Sequence, residues 1–388
     1  MADLLTSYFH IGGNSIVPGP VQASEYVTGS SNVFPKYADA ITETAWELWH
    51  FDGVSEDGRA AVVVSITRNA EGRNKGGFKV QVIAKWPDNS TWHRDLYFPE
   101  SVVTAAGGED GNILGVWKDS SSNGSISFNV SAGALQAELS FDVPDIVNGR
   151  MNLTTLAGDQ GLDTCPRLGP AVHYVRPIGR ASATADMTFS DAEDKSPRRL
   201  LLGLDGVKAH GGMDHVWSHS AWPQVMSESY YLRAQVGPYA MQVMRIFSTV
   251  QSGKTPYTTA RLYRDGGLVC AAQNIVAADE SEITEDSLAI NKVDGPNSDP
   301  KASGVAGAFR DKNNGYIVEF AKANTDGRRW KFQVLHESVL WNIPTSGPGP
   351  AATGNTGFIE SVLGGMDRES YRGVGTGGQC ELQSPLVS

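Results

Sequence analysis

Cysteine is scarce: Cys165, Cys270 and Cys380 are the three in 388 residues, each more than a hundred positions from the next. That count makes no CxxC pair and no disulfide framework, so a reducing compartment is the expectation, with one long-range bridge the pairing left open. Long apolar runs are also missing. No window of 18 consecutive apolar residues exists, which excludes a membrane-spanning helix. Positive charge is in deficit, with 32 Lys and Arg against 43 Asp and Glu and a net charge of −11. Nucleic acid and anionic membrane both need a positive face, so neither is the expected main partner. Met1 to Gly12 contains Asp3 and lacks a basic segment leading into an apolar stretch, so no signal peptide is expected and the predicted location is cytoplasmic. The four sequons at Asn89, Asn123, Asn129 and Asn152 then read as Ser/Thr-rich turns rather than glycosylation sites. Repeats of 20–50 residues are absent, which argues against propellers and solenoids. Amphipathic helical windows are nearly absent too; the best is the acidic stretch Ala277 to Val293, a short helix or a solvated loop.

What is present describes a globular protein. Hydrophobic residues make up 40% and charged residues 19%, enough to bury a core, and the length suggests two domains. Glycine (43) and proline (19) supply turns. Hairpin dipeptides recur at Asn123-Gly124, Asn148-Gly149, Asp265-Gly266, Asn314-Gly315 and Asp326-Gly327, between alternating or β-branched runs. Strands are predicted over 60–68, 77–86, 91–98, 239–250, 258–263, 268–273, 315–320 and 329–337. The fold class is all-β, as sandwich or barrel. Ser190 to Arg199 (SDAEDKSPRR) reads as a linker or long loop between the halves, and the domain boundary is placed near residue 220.

Several familiar motifs almost occur. Gly373, Gly375 and Gly378 satisfy GxGxxG with only ten residues following, too few for a nucleotide-binding βαβ unit. Ser252-Gly253-Lys254-Thr255 lacks the glycine of a phosphate loop, since Thr249 stands there. His336-Glu337 begins a zinc-protease signature that Leu340 ends, and no GxSxG elbow exists. No cofactor and no metal are expected.

Two segments are dense in chemistry. Ala209 to Pro223 (AHGGMDHVWSHSAWP) packs His210, His215, His219, Asp214, Trp217 and Trp222 into fifteen residues. Its glycines, serines and tryptophans disfavour the helix that would converge the histidines on a metal, so polar groups satisfying a strand corner, or aromatics lining a pocket, are the better readings. Thr44 to Gly58 (TAWELWHFDGVSEDG) alternates as a strand, with Trp46, Leu48 and His50 on one face and Glu47, Trp49 and Phe51 on the other. Glu47 is thus a carboxylate among aromatics, costly without a partner. Structural and functional roles for it stand level.

The WxLWHFDGVSEDG stretch, followed by GGMDHVWSHSAW and the YYLRAQVGPYAMQVMRIF strands, resembles the lipocalin-like family of carotenoid hydratases acting on neurosporene. It resembles more closely the fungal branch of that family, the decalin-forming Diels–Alderases of polyketide–amino-acid pathways. Met213 stands where the hydratase pattern carries a further histidine, a departure that fits the cyclase branch. The resemblance implies an N-terminal β-sandwich (1–220), a C-terminal lipocalin-like barrel (221–388) and a pocket between them. It also implies a linear polyenoyl tetramic acid as substrate and a functional link to a polyketide synthase–peptide synthetase.

A cycloaddition of this kind transfers no proton and forms no covalent enzyme intermediate, so it needs no triad, metal or nucleotide loop. It needs an entropy trap for the polyene and a donor on the carbonyl conjugated to the dienophile. Glu47, Ser65 and Gln81 are the expected catalytic residues: the family-motif carboxylate, and two polar residues interrupting apolar strands. Trp49, Asp214, Trp222, Tyr239, Met241 and Trp341 are the expected substrate contacts. An isoprenoid hydratase or cyclase, with Asp214 or Glu47 as acid, and a non-catalytic carrier of an apolar ligand remain as alternatives. Oligomeric state is not legible in the sequence.

Overall fold

The computed structural model describes residues 4–157, 165–190, 196–275, 283–293, 305–306, 308–324 and 328–383. Two compact units account for the chain. The first comprises Met1–Ser55, Arg59–Arg167 and Ala171–Ala221; the second comprises Glu56–Gly58, Leu168–Pro170 and Trp222–Ser388.

The first unit is built from β1 (Leu4–His10), β2 (Trp46–Ser55), β3 (Ala61–Arg68), β4 (Phe78–Lys85), β5 (Thr91–Phe98), β6 (Glu100–Ala106), β7 (Asn112–Asp119), β8 (Gly124–Val130), β9 (Gln136–Val143), β10 (Val147–Thr155), β11 (Val172–Phe189), β12 (Arg198–Leu202) and β13 (Ala209–Ser218). These make one 13-stranded sheet in the order β1-β6-β7-β8-β9-β10-β11-β13-β2-β3-β4-β5, with β12 beside β11. The sheet folds its ends face to face. Trp49 of β2 lies 5.5 Å, edge-on, from Trp117 of β7 and 5.8 Å from Phe128 of β8. Each such aromatic contact adds about 0.5–1.5 kcal/mol to the burial of its rings. The two layers therefore come from a single hydrogen-bonded path rather than from two separate sheets.

The second unit holds one short helix, α1 (Trp222–Val225), and β14 (Glu228–Val236), β15 (Tyr239–Phe247), β16 (Pro256–Arg264), β17 (Gly267–Ala272), β18 (Asn274–Ile275), β19 (Ser287–Val293), β20 (Gly315–Ala321), β21 (Arg329–Pro344), β22 (Gly354–Met366) and β23 (Tyr371–Glu381). The sheet order is β17-β16-β15-β14-β23-β22-β21-β20-β19-β18. It nearly closes into a barrel: the Cys270 thiol of β17 lies 3.6 Å from the Ala321 carbonyl of β20. One set of alternating side chains, among them Leu232, Tyr239, Met241, Val243, Leu262, Phe320 and Phe332, fills its core.

The all-β expectation holds, and eight predicted strands form within a few residues of their expected ends, except that β21 runs seven residues further, to Pro344. The turns are less uniform. Asp265 and Gly266 both take positive φ, as a two-residue hairpin of this hand demands, and Asn123 does likewise between β7 and β8. Asn148-Gly149 instead lies inside β10, the turn having moved to 144–146 where Asp145 is left-handed. Asn314 merely precedes β20. Asp326-Gly327 lies outside the described residues, as do 277–282 of the acidic stretch, whose end forms β19. Ser190–Arg199, read as joining the halves, falls within the first unit between β11 and β12; residues 191–195 of it are outside the described set. No helix among the described residues is long and apolar enough to cross a membrane.

Candidate active site

Residues directly opposite one another in a sheet share a face. Following the register from β13 to β5, Asp214 lies opposite His50, His50 opposite Ser65, Ser65 opposite Gln81, and Gln81 opposite Asp95. Five polar side chains thus cross five adjacent strands in one row, about 19 Å long at the usual strand spacing. Two neighbouring pairs in the row are bonded. The His50 ring nitrogen Nδ1 lies 2.9 Å from Ser65 Oγ, and the Gln81 amide donates to Asp95 Oδ1 at 2.9 Å. At the other end the Tyr174 hydroxyl, from β11, donates to Asp214 Oδ1 at 3.0 Å. His93, 3.5 Å from Asp95, together with the Gln81 amide, holds the Asp95 carboxyl down at about 2 against the opposing effect of burial. The row is a line of donors and acceptors across one face of the sheet, suited to gripping the polar part of a ligand without ionising it.

Ser65, Gln81 and Asp214 are therefore brought together. Glu47 is not. Alternation sends it to the opposite face with Trp49, into the core of the first unit, where it is 0% exposed. One carboxylate oxygen accepts from the Lys36 backbone N–H and lies 3.2 Å from His215 Nε2, while the other has no hydrogen-bond partner. His215 Nδ1 meets the Asn32 carbonyl at 2.7 Å, and its ring stacks on Trp49 at 4.8 Å. Trp49 donates its indole N–H to the Val33 carbonyl at 2.9 Å, which makes it a core residue. Glu47 and Gln81, both expected to be catalytic, thus lie on opposite faces of the sheet.

The second unit separates its expected residues in the same way. Tyr239 and Met241 fill the barrel core. The Tyr239 hydroxyl donates to Glu369 and accepts from Arg264 at 3.0 Å; burial first, then Glu369, raises it to about 12. Trp341 is half-buried on β21. Its indole donates to Asn355 Oδ1 at 3.0 Å and lies across Gly357, where an added Cβ would stand 2.3 Å from the ring. Gly357 is therefore required for the tryptophan to lie flat. Trp222 is half-buried at the head of α1. Sequence reasoning missed the opposite parity of the same strands. Arg233, Gln242 and Arg261 lie opposite one another across β14, β15 and β16, all buried, and neither amide atom of Gln242 has a partner among the described residues. The signal was available, since Gln242 interrupts the apolar run YAMQVM just as Gln81 interrupts its own.

A cavity of about 410 Å³ opens along Val21–Glu25 and Lys36–Ala40 of the first unit, and none of the expected site residues lines it. Lys36 spans it: burial lowers its ammonium, which donates to the Glu25 carbonyl at 2.8 Å.

Comparison with known proteins gives this geometry a context. The family model described as Diels-Alderase-like matches residues 7–383. A Diels-Alderase of Gibberella fujikuroi is 54% identical over 368 residues, covering 95% of this chain and 96% of that protein. The Diels-Alderase fsa2 of Fusarium heterosporum is 52% identical, covering 98% of this chain and 100% of its own. The crystal structure of CghA with Sch210972 superposes at a TM-score of 0.90 with 34% identity, over 98% of this chain and 99% of that one. Kievitone hydratase from Nectria haematococca shares the fold at a TM-score of 0.51 and 11% identity, over 93% and 98%. Two long sheets, one of them crossed by a polar row, sit in a chain that the family model matches over residues 7–383, and this chain belongs to the Diels-Alderase-like family.

Proposed function

We propose that the enzyme catalyses a stereoselective intramolecular [4+2] cycloaddition that closes a decalin from a linear polyenoyl tetramic acid, and that the row His50–Ser65–Gln81, flanked by Tyr174–Asp214 and Asp95, holds the polar head. The row carries this reading. A cycloaddition moves no proton, so its catalyst needs fixed donors rather than a titrating acid–base pair. A donor on the carbonyl conjugated to the dienophile withdraws electron density in the transition state more than in the ground state, which accelerates the chemical step. Ser65 Oγ–H and the Gln81 amide are donors of that kind, already oriented by His50 and Asp95. Holding the head leaves the polyene to be folded against apolar surface, where the gain is entropic. Trp222 and Trp341 are the half-buried indoles suited to that surface. Glu47 in this reading is structural, fixing the loop at Lys36 and the ring of His215. The substrate chemistry implies supply by a polyketide synthase–peptide synthetase, in the cytoplasm.

The test is incubation of the purified protein with a linear polyenoyl tetramic acid. Cyclisation faster than in buffer, unchanged product mass and one dominant diastereomer support the reading. Addition of one water would replace it with a hydratase, and binding without conversion would replace it with a carrier.

A further inference from the structure

We propose that the second unit carries a separate binding site for a small carboxylate, built on Arg245 and Thr258. Arg245 is 7% exposed, and its guanidinium makes no hydrogen bond or ion pair with any described residue; its Nε is wholly shut off from solvent. Thr258 lies directly opposite it on the next strand, 6% exposed, and its Oγ1 also has no partner among the described residues. Cross-strand neighbours place their Cβ atoms about 5 Å apart, so the hydroxyl and the stem that carries the guanidinium leave the sheet side by side on one face. Arg68 in the first unit shows what a structural buried arginine looks like. It donates to Ser7 and Ser101 at 2.7–3.3 Å and lies 4.3 Å from the Phe9 ring. Arg245 has the ring, Phe247 at 5.0 Å, and none of the acceptors.

The surrounding charges leave a place for one anion. Glu228 takes Lys254 at 2.8 Å, Lys292 at 3.2 Å and the Tyr230 hydroxyl at 2.8 Å. Asp311 takes Lys292 at 3.0 Å, and Arg310 is matched by Glu381. Among the described residues, and setting that matched pair aside, three cations (Arg245, Lys254, Lys292) stand against two carboxylates (Glu228, Asp311), an excess of one positive charge. A buried cation without a counterion is costly, and a planar monovalent oxyanion removes that cost. A carboxylate fits best: its two oxygens match the guanidinium fork, and either accepts from Thr258.

Acetate is the probe. Thermal melts of the wild type in sodium acetate against sodium chloride at equal ionic strength should show a saturable rise of about 2–4 °C. Isothermal titration should show acetate binding one-to-one. In Arg245→Met the acetate-specific rise should vanish while the melting temperature in chloride stays equal or increases, because an uncompensated charge is gone. Thr258→Val should weaken acetate binding about fivefold, the loss of one hydrogen bond, and covers the case in which the arginine variant does not fold. Absence of acetate binding to the wild type overturns the site. So does a rise that survives in Arg245→Met, or, should that variant not fold, unchanged binding in Thr258→Val.

Discussion

In the first unit His215 meets Glu47, and in the second His336 meets Glu360, both pairs shut away from solvent. The second nitrogen of each ring decides what the pair is. His215 Nδ1 faces the Asn32 carbonyl, an acceptor, and must carry hydrogen. Its Nε2 faces a carboxyl oxygen, so one further proton is shared between ring and carboxyl and the pair is neutral overall. His336 Nε2 lies 3.4 Å from the Asn313 amide nitrogen, whose orientation is fixed by its bond to the Gly315 carbonyl. That nitrogen accepts, so Nδ1–H donates to Glu360 at 2.8 Å and the pair is a neutral imidazole with a carboxylate. The same two residue types thus carry different proton inventories because of one backbone carbonyl and one side-chain amide.

Glutamine at each position separates the two cases, and this is the largest effect expected. A single Glu47 oxygen serves both the Lys36 N–H and His215. In Glu47→Gln an amide NH₂ there would oppose the Lys36 N–H, and an amide oxygen there could not supply the shared proton. The expected loss is about 1.5–3 kcal/mol, read as a lower melting temperature. Glu360 uses one oxygen solely as acceptor from His336, which a glutamine oxygen reproduces, so Glu360→Gln should cost less than about 1 kcal/mol. Equal losses would show that the proton inventories do not differ.

The two faces of the first unit's sheet invite the next test. Core-face Glu47 should act on stability; row-face Gln81 and Ser65 should act on rate. Gln81→Ala and Ser65→Ala should each lower the cyclisation rate about tenfold, roughly 1.4 kcal/mol, with small changes in melting temperature. The double variant should be less than additive, since both would hold one head group. Stability losses without rate losses would reassign the row to packing. Trp341→Ala should shift the ratio of diastereomers more than the turnover, because an apolar wall selects the fold of the polyene.

Ser65 and Gln81 were legible because each breaks an apolar strand, and alternation alone placed Glu47 and His50 on opposite faces. Register was not legible. Nothing local tells that His50 pairs with Ser65, or that Asp214 and Asp95 complete the line, since strand partners 14 to 164 residues apart are chosen by the whole sheet. Tyr239 and Met241 were expected as pocket wall and lie in the barrel core, where a slip of one residue exchanges that core for the face bearing Gln242. Asn148-Gly149 failed as a turn because left-handed Asp145 supplies it three residues earlier.

Acid provides the smallest and last contrast. Besides the exposed Asp88, each unit has a partly buried carboxyl held at about 2. Asp95 is held there chiefly by His93 and Gln81; Glu228 has burial as its largest influence, pushing upward, and Lys254, Lys292 and Tyr230 overcome it. A carboxyl depressed on folding contributes stability that is complete above its unfolded value, about 4, and is lost as pH falls through that value toward 2. The Asp95 side chain is 34% exposed and that of Glu228 11%, so screening removes more of the first contribution than of the second. Asp311 opposes the loss in the second unit. Burial raises its carboxyl despite Lys292, so its protonation on acidification favours the fold. The net loss expected between pH 5 and 2 is about 1 kcal/mol from the Glu228 cluster and less from Asp95. Melting temperatures across that range should fall less steeply in Glu228→Gln than in Asp95→Asn, each compared with the wild type. A wild-type slope retained in Glu228→Gln would place the acid-sensitive carboxyl elsewhere.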